Sequence, residues 1–152
     1  MNPLHSLLTR LFPRAAHFAN VAEGTHEGAF TSKTDAAIAT RYLLAKDGSD
    51  DSHVAVCGAS DIPLGVMTDE AEAAEDLIAV EVLGVSKRTL LMVASEAIDR
   101  GEHVYTAASG KVQDLPAGAG TYYEVGVALT AASADGDLIE VAHCVPRKTI
   151  VT

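Results

Sequence analysis

The strongest constraint on this chain is a segment that occurs twice in unbroken register. Gly65-Val66-Met67-Thr68 leads through the acidic run Asp69-Glu70-Ala71-Glu72-Ala73-Ala74-Glu75 to Asp76-Leu77-Ile78-Ala79-Val80. At an offset of 61, Gly126-Val127-Ala128-Leu129 leads through Thr130-Ala131-Ala132-Ser133-Ala134-Asp135-Gly136 to Asp137-Leu138-Ile139-Glu140-Val141. The Gly-Val pair, two alanines and the Asp-Leu-Ile-x-Val run are identical in both. Glu70, Glu72 and Glu75 are replaced by Ala131, Ser133 and Gly136, so the apolar scaffold recurs and the carboxylates do not. The unit reads as strand, polar connection, strand. Two copies fall short of the about three stacked repeats a solenoid needs, so the expected outcome is one β domain of two similar halves.

The remainder of the chain is punctuated in the same way. Short apolar or alternating segments are separated by Gly, Asp and Pro turns every ten residues or so, which predicts a mainly β fold, a compact barrel or sandwich. With 152 residues the chain can bury roughly two thirds of its unfolded surface. Trp is absent and aromatics are few, so Val, Leu, Ile and Ala must build the core. Alternation of Ile38, Thr40, Tyr42 and Leu44 with their neighbours predicts a strand there. Asn20 to Thr34, with Gly24 and Gly28, reads as an extended connector. The expected organisation is an arm and connector over 1–34 and a β-rich body over 35–152. Leu43-Leu44 lies 61 positions before Val104-Tyr105, which extends the repeat backwards. Leu90, Leu91 and Met92, inside a run that is apolar on both faces, are candidates for a subunit interface, with ordinary core as the competing reading.

Ahead of the body, Leu4, Leu7, Leu8 and Leu11 fall on one face of a short helix that Pro3 can open and Pro13 ends, and Phe12 and Phe18 extend its apolar character. So short a helix is marginal alone in water. Packing on its own body or fraying competes with docking on a partner; attachment to a membrane surface is the weaker option, since Arg10 and Arg14 alone supply positive charge.

Formal net charge is -10, and the residues after Arg41 carry -11 of it. Such a body is a poor partner for nucleic acid, whose phosphates require clustered Lys and Arg. No segment approaches a membrane span, and the N-terminus lacks a basic stretch ahead of an apolar run, so a protein made in the cytoplasm is expected.

The sequence carries no catalytic motif: there is no Gly-x-Ser-x-Gly elbow, phosphate-binding Gly-rich loop or His-Glu-x-x-His pair. Gly118-Ala119-Gly120 begins like a dinucleotide loop, yet Tyr123 stands where the third glycine belongs. Cys57 and Cys144 form no Cys-x-x-Cys pair, and His53, His103 and His143 have no metal-type spacing. Asp47 to Ser52 is a turn that lacks the glycine and the terminal acid of a calcium loop. Neither an enzyme nor a cofactor or metal is expected. Tyr122 and Tyr123 leave open a receptor- or carbohydrate-binding appendage.

Ala36 to Leu44, Asp61-Ile62-Pro63-Leu64-Gly65-Val66, Val104 to Val112 and Val125-Gly126-Val127-Ala128-Leu129 together resemble the capsid cement, or head decoration, proteins of tailed bacteriophages. The resemblance spans roughly residues 35–146 and rests on turns and strand cores, which specify a fold better than an activity. It implies a structural virion protein that binds the outside of the head, often as a homotrimer, and reinforces junctions between subunits of the major capsid protein. On that reading Leu4, Leu7, Leu8, Leu11, Phe12 and Phe18 form an anchoring surface, and Arg10, Arg14 and Arg41 meet capsid carboxylates.

Overall fold

The computed structural model describes residues 27–152. Ten strands follow one another: β1 (Ala29–Thr34), β2 (Leu44–Asp47), β3 (His53–Val56), β4 (Gly65–Met67), β5 (Leu77–Val82), β6 (Leu90–Val93), β7 (His103–Thr106), β8 (Val112–Gln113), β9 (Gly120–Ala128) and β10 (Leu138–Val151). A 3-10 turn, Ala108–Gly110, joins β7 to β8. The first five strands close a barrel in the order β1-β3-β2-β4-β5, and the last five form a sheet in the order β6-β10-β9-β7-β8.

The two halves are one architecture used twice. In the first, Val66 pairs with Glu81 and Met67 with Val80; in the second, Val127 pairs with Ala142 and Ala128 with Val141, each 61 residues on. The acidic connection and its counterpart carry the same hydrogen bonds. Asp76 Oδ2 accepts from the N–H groups of Glu72 and Ala73 at 2.8 and 2.9 Å, and Asp137 Oδ2 from those of Ser133 and Ala134 at 2.8 and 3.0 Å. This is why the aspartate recurs while the glutamates do not: it folds the turn by satisfying backbone donors. Antiparallel bridges Ile38 to Ala71 and Ile98 to Ala132 close the two loops. The order of the second sheet is the barrel order opened between β6 and β8, where a single parallel bridge, Ala94 to Val112, replaces the two-residue β1–β3 ladder.

Repeated glycine has an equally local cause. A Cβ on Gly65 would sit 2.4 Å from Glu81 O, and one on Gly126 would sit 2.5 Å from Ala142 O. Each glycine lets its strand approach the partner strand more closely than any other residue allows.

Packing joins the halves. The core under the second sheet gathers Met92, Ile98, Val104, Val112, Val125, Ile139 and Val141, and takes Leu44, Cys57, Val66 and Leu83 from the first half. The barrel core of Ile38, Ala45, Val54, Met67, Ile78 and Val80 takes Val93 from β6 in return. Each such side chain removed from water contributes about 1.5–3 kcal/mol, so neither half is complete without the other.

Three expectations change. Residues 29–34, read as connector, form β1, which pairs with β5 from Lys33↔Leu77 to Ala29↔Glu81. Their polarity misleads because only Ser32 and Thr34 are buried there, and both hydroxyls are satisfied by backbone carbonyls of Ser52 and Ala73. The strand expected over 37–44 begins only at Leu44; Ile38 makes one bridge, and Tyr42 turns the chain with φ of 66°. Finally, Leu44 corresponds to His103, since they face Val66 and Val127 respectively. The offset is 59 there, not 61, because the loops between strands differ in length.

Candidate functional site

Leu4, Leu7, Leu8, Arg10, Leu11, Phe12, Arg14 and Phe18 lie outside the described residues. The described chain does show where the arm joins the body. Glu27 and Gly28 lie against the crossover between the halves, residues 83–89. Val82 N–H donates to Gly28 O at 2.7 Å, and a Cβ on Gly28 would fall 2.6 Å from Ser86 Cα. Lys87 Nζ stands 3.9 Å from Glu27 Oε1.

Leu90, Leu91 and Met92 leave that crossover as β6. Leu90 and Met92 point into the core and are 4% and 0% exposed, whereas Leu91 on the opposite face is 39% exposed. The run is apolar on both faces because β6 lies between two cores, with Val93 entering the barrel. Leu91 lines a cleft of about 280 Å3 between the halves, together with Tyr42, Val66, Thr68, Arg88, Thr89 and Leu90. Arg88 at its rim is paired to the nearly buried Glu81. Arg41 is exposed and stands 3.7 Å from Glu70 Oε1, so the acidic connection already partners it.

The same crossover is held to β10 by His143. Its Nδ1 accepts from Gly84 N–H at 2.8 Å and its Nε2 donates to Arg88 O at 3.0 Å, an arrangement that requires the neutral ring. Val145, two residues on, packs against Gly84 and is 65% exposed. Arm root, Leu91 cleft and the start of the β9–β10 ribbon therefore meet at residues 83–89. This convergence carries no motif in the sequence. The available signal was that the crossover joins the two copies and so has no counterpart within either.

The remaining candidates are divided between the barrel and the second sheet. His53 sits in the first barrel, with Nδ1 on Asp50 Oδ1 at 2.7 Å and Nε2 on Glu75 Oε1 at 2.9 Å. Glu75 Oε2 in turn accepts from Lys33 Nζ at 2.7 Å. The Asp50 and Glu75 carboxylates raise the His53 pKa; its imidazolium, with the Ser52 donors, holds Asp50 well below the carboxylate range. Lys33 and then His53 lower Glu75. Every group in this chain of contacts is satisfied by another, which suits a staple between β1, β3 and the acidic connection. His103 Nδ1 lies 2.8 Å from Glu124 Oε1, and Arg147 donates to the same oxygen at 3.2 Å. Burial pushes the Cys57 thiol up to about 12. Tyr122 and Tyr123, as consecutive strand residues, point to opposite faces and form no common stacking platform.

A family model described as phage cement protein matches residues 21–143. Among solved structures, the head fiber gp8.5 N base of bacteriophage phi29 is similar in fold, with a TM-score of 0.57 at 20% identity, over 74% of this chain and 90% of that one. No curated protein matches the chain in sequence. A match over most of the sequence, on a duplicated β body whose two cores exchange side chains, identifies the chain as belonging to the phage cement protein family, structural proteins of the phage head.

Proposed function

We propose that the protein is a cement protein that binds the outer surface of the assembled head, as a homotrimer, and reinforces contacts between subunits of the major capsid protein. The observation that carries this reading, beside the family, is the convergence of arm root, apolar cleft and ribbon on one crossover. In this reading that side meets the capsid. Leu4, Leu7, Leu8, Leu11, Phe12 and Phe18 supply apolar anchors, Arg10 and Arg14 meet capsid carboxylates, and Leu91 continues the apolar surface onto the body. Leu90 and Met92 support it from within. The acidic remainder faces solvent, where like charge keeps free copies apart.

The mechanism is linkage. A protein that binds assembled lattice but not dissociated subunits stabilises the assembly by RT ln(1 + [L]/Kd), and several contacts per oligomer multiply that affinity. The test is thermal: expanded heads with and without the protein, melted side by side. Decorated heads should melt at a higher temperature, and equal melting temperatures would overturn the reading.

A further inference from the structure

The duplication isolates what the second half has and the first lacks. β4 and β5 end together at Gly65 and Val82, whereas their counterparts β9 and β10 continue as a two-stranded ribbon, from Glu124↔Arg147 to Gly120↔Val151. No residue of 120–124 or 147–151 is buried. The strand 147–151 pairs with β9 along one edge only. Among the described residues no backbone hydrogen bond reaches its other edge. Two strands without a covered face are marginal in water, and an open edge is a template for a further strand. The family match stops at residue 143, so this outer strand lies beyond it.

We infer that the free edge of β10, residues 147–151, receives an extended acidic strand of the capsid lattice by β-augmentation. The inference rests on the cement reading. Its charge argument is local: residues 145–152 hold Arg147 and Lys148 and no acidic side chain, in a body that is otherwise strongly acidic. Arg147 is committed to Glu124, which pins the root of the ribbon, and Lys148 has no ion-pair partner among the described residues. Ile150, on the same face as Lys148 and 64% exposed, supplies an apolar neighbour. Other occupants fit less well. The chain's own arm brings Arg10 and Arg14 against Glu23 and meets like charge. A second copy pairing antiparallel along this edge about Thr149 sets Arg147 opposite Val151 and Lys148 opposite Ile150, so it brings Lys148 no carboxylate. Main-chain hydrogen bonds would give such a strand affinity, and Lys148 with Ile150 its selectivity.

The experiment uses full-length protein and expanded heads lacking it. Wild type, Lys148→Glu, Thr149→Pro and Ile150→Pro are titrated onto heads, and amide exchange of 147–151 is followed free and bound. Of residues 149 and 150 one amide faces β9 and the other faces outward, so one proline variant removes an edge donor and spares the ribbon. The expected result is rapid exchange of the outward amides in free protein and protection on heads. Lys148→Glu should bind about tenfold more weakly, with unchanged melting of the free protein. The outward-facing proline variant should lose occupancy. Unprotected amides on fully decorated heads, or full occupancy by Lys148→Glu and both proline variants, would overturn the inference and leave the cement reading standing. Protection that rises with concentration in free protein would assign the edge to a second copy instead. Wild type that does not bind heads would remove both.

Discussion

Glu75 and Gly136 occupy the same position in the two halves, and both have left-handed backbone, with φ of 70° and 90°. Each donates its N–H to a carbonyl at the end of the first strand of its half: Glu75 to O of Thr34, the last residue of β1, and Gly136 to O of Ala94, the residue after β6, both at 2.9 Å. Glycine accepts this conformation freely; a side chain with Cβ costs about 1–2 kcal/mol there. The first half tolerates the cost because Glu75 reaches Lys33 and His53. In the second half Lys111 occupies the place of His53, and its partner is Asp135, one residue earlier, at 2.5 Å. With the acid displaced by one position, the left-handed site is free to be glycine. Gly136→Glu should therefore destabilise the protein by about 1–2 kcal/mol in urea unfolding. Glu75→Gly should lose less at pH 8.5 than at pH 6, since only at the lower pH does it forfeit a charged His53 partner.

His53 makes stability depend on pH in a definite direction. Both its ring nitrogens meet carboxylates, so the contacts favour the imidazolium and raise its pKa. A raised group contributes fully below its unfolded value, about 6.5, and loses the contribution as pH rises through the folded value. Asp50 and Glu75 are lowered, so their share is present above about 4 and is lost as pH falls through their folded values. Thermal midpoints should peak near about pH 5–6 and decline toward pH 8.5. His53→Gln should flatten the alkaline limb specifically; an unchanged difference between pH 6 and pH 8.5 in that variant would show that the staple does not form.

The repeat itself was legible because Gly65, Asp76 and their counterparts are demanded by backbone geometry. A close strand approach admits only glycine, and a turn with two unsatisfied N–H groups needs a short acceptor. The rest of the duplication was not legible. Ala29 to Thr34 aligns with Thr89 to Ala94 without one shared residue, although β1 and β6 hold equivalent places beside β5 and β10. What those strands must supply is a backbone ladder and a few small or apolar contacts, which many sequences satisfy. The apolar run of β6 has a local cause: Leu90 and Met92 enter the core under the second sheet and Val93 enters the barrel core, while Leu91 stays 39% exposed. The anchoring residues from Leu4 to Phe18 lie outside the described residues, and the crossover at which the chain enters the body carries no sequence signature.

Gly65 provides a test of the shared architecture. A methyl group there would have to displace Glu81 O and Val80 Cγ1, which stand 2.4 and 2.6 Å from the Cβ position. Backbone carbonyls inside a ladder cannot yield as a flexible side chain would. Gly65→Ala should cost about 1–3 kcal/mol, and Gly126→Ala a similar amount, measured by denaturant midpoints. Gly101→Ala is the control for strain alone, because its Cβ meets nothing within 4 Å although φ is 94°.

Met92 and Leu91 are adjacent on one strand and should separate folding from docking. Met92 is fully buried, so Met92→Ala leaves a cavity and should cost about 2–5 kcal/mol. Leu91 has already left much of its surface in water, so Leu91→Ser should change stability by less than about 0.5–1 kcal/mol. Docking inverts the order. If Leu91 continues the apolar anchor of the arm onto the capsid, Leu91→Ser should reduce occupancy of expanded heads at limiting protein, while Met92→Ala, measured well below its melting temperature, should bind normally. Removal of residues 1–19 should abolish occupancy and leave the β body's unfolding midpoint unchanged. Full occupancy by the truncated protein would place the anchor elsewhere on the body, and normal binding by Leu91→Ser would confine it to the arm.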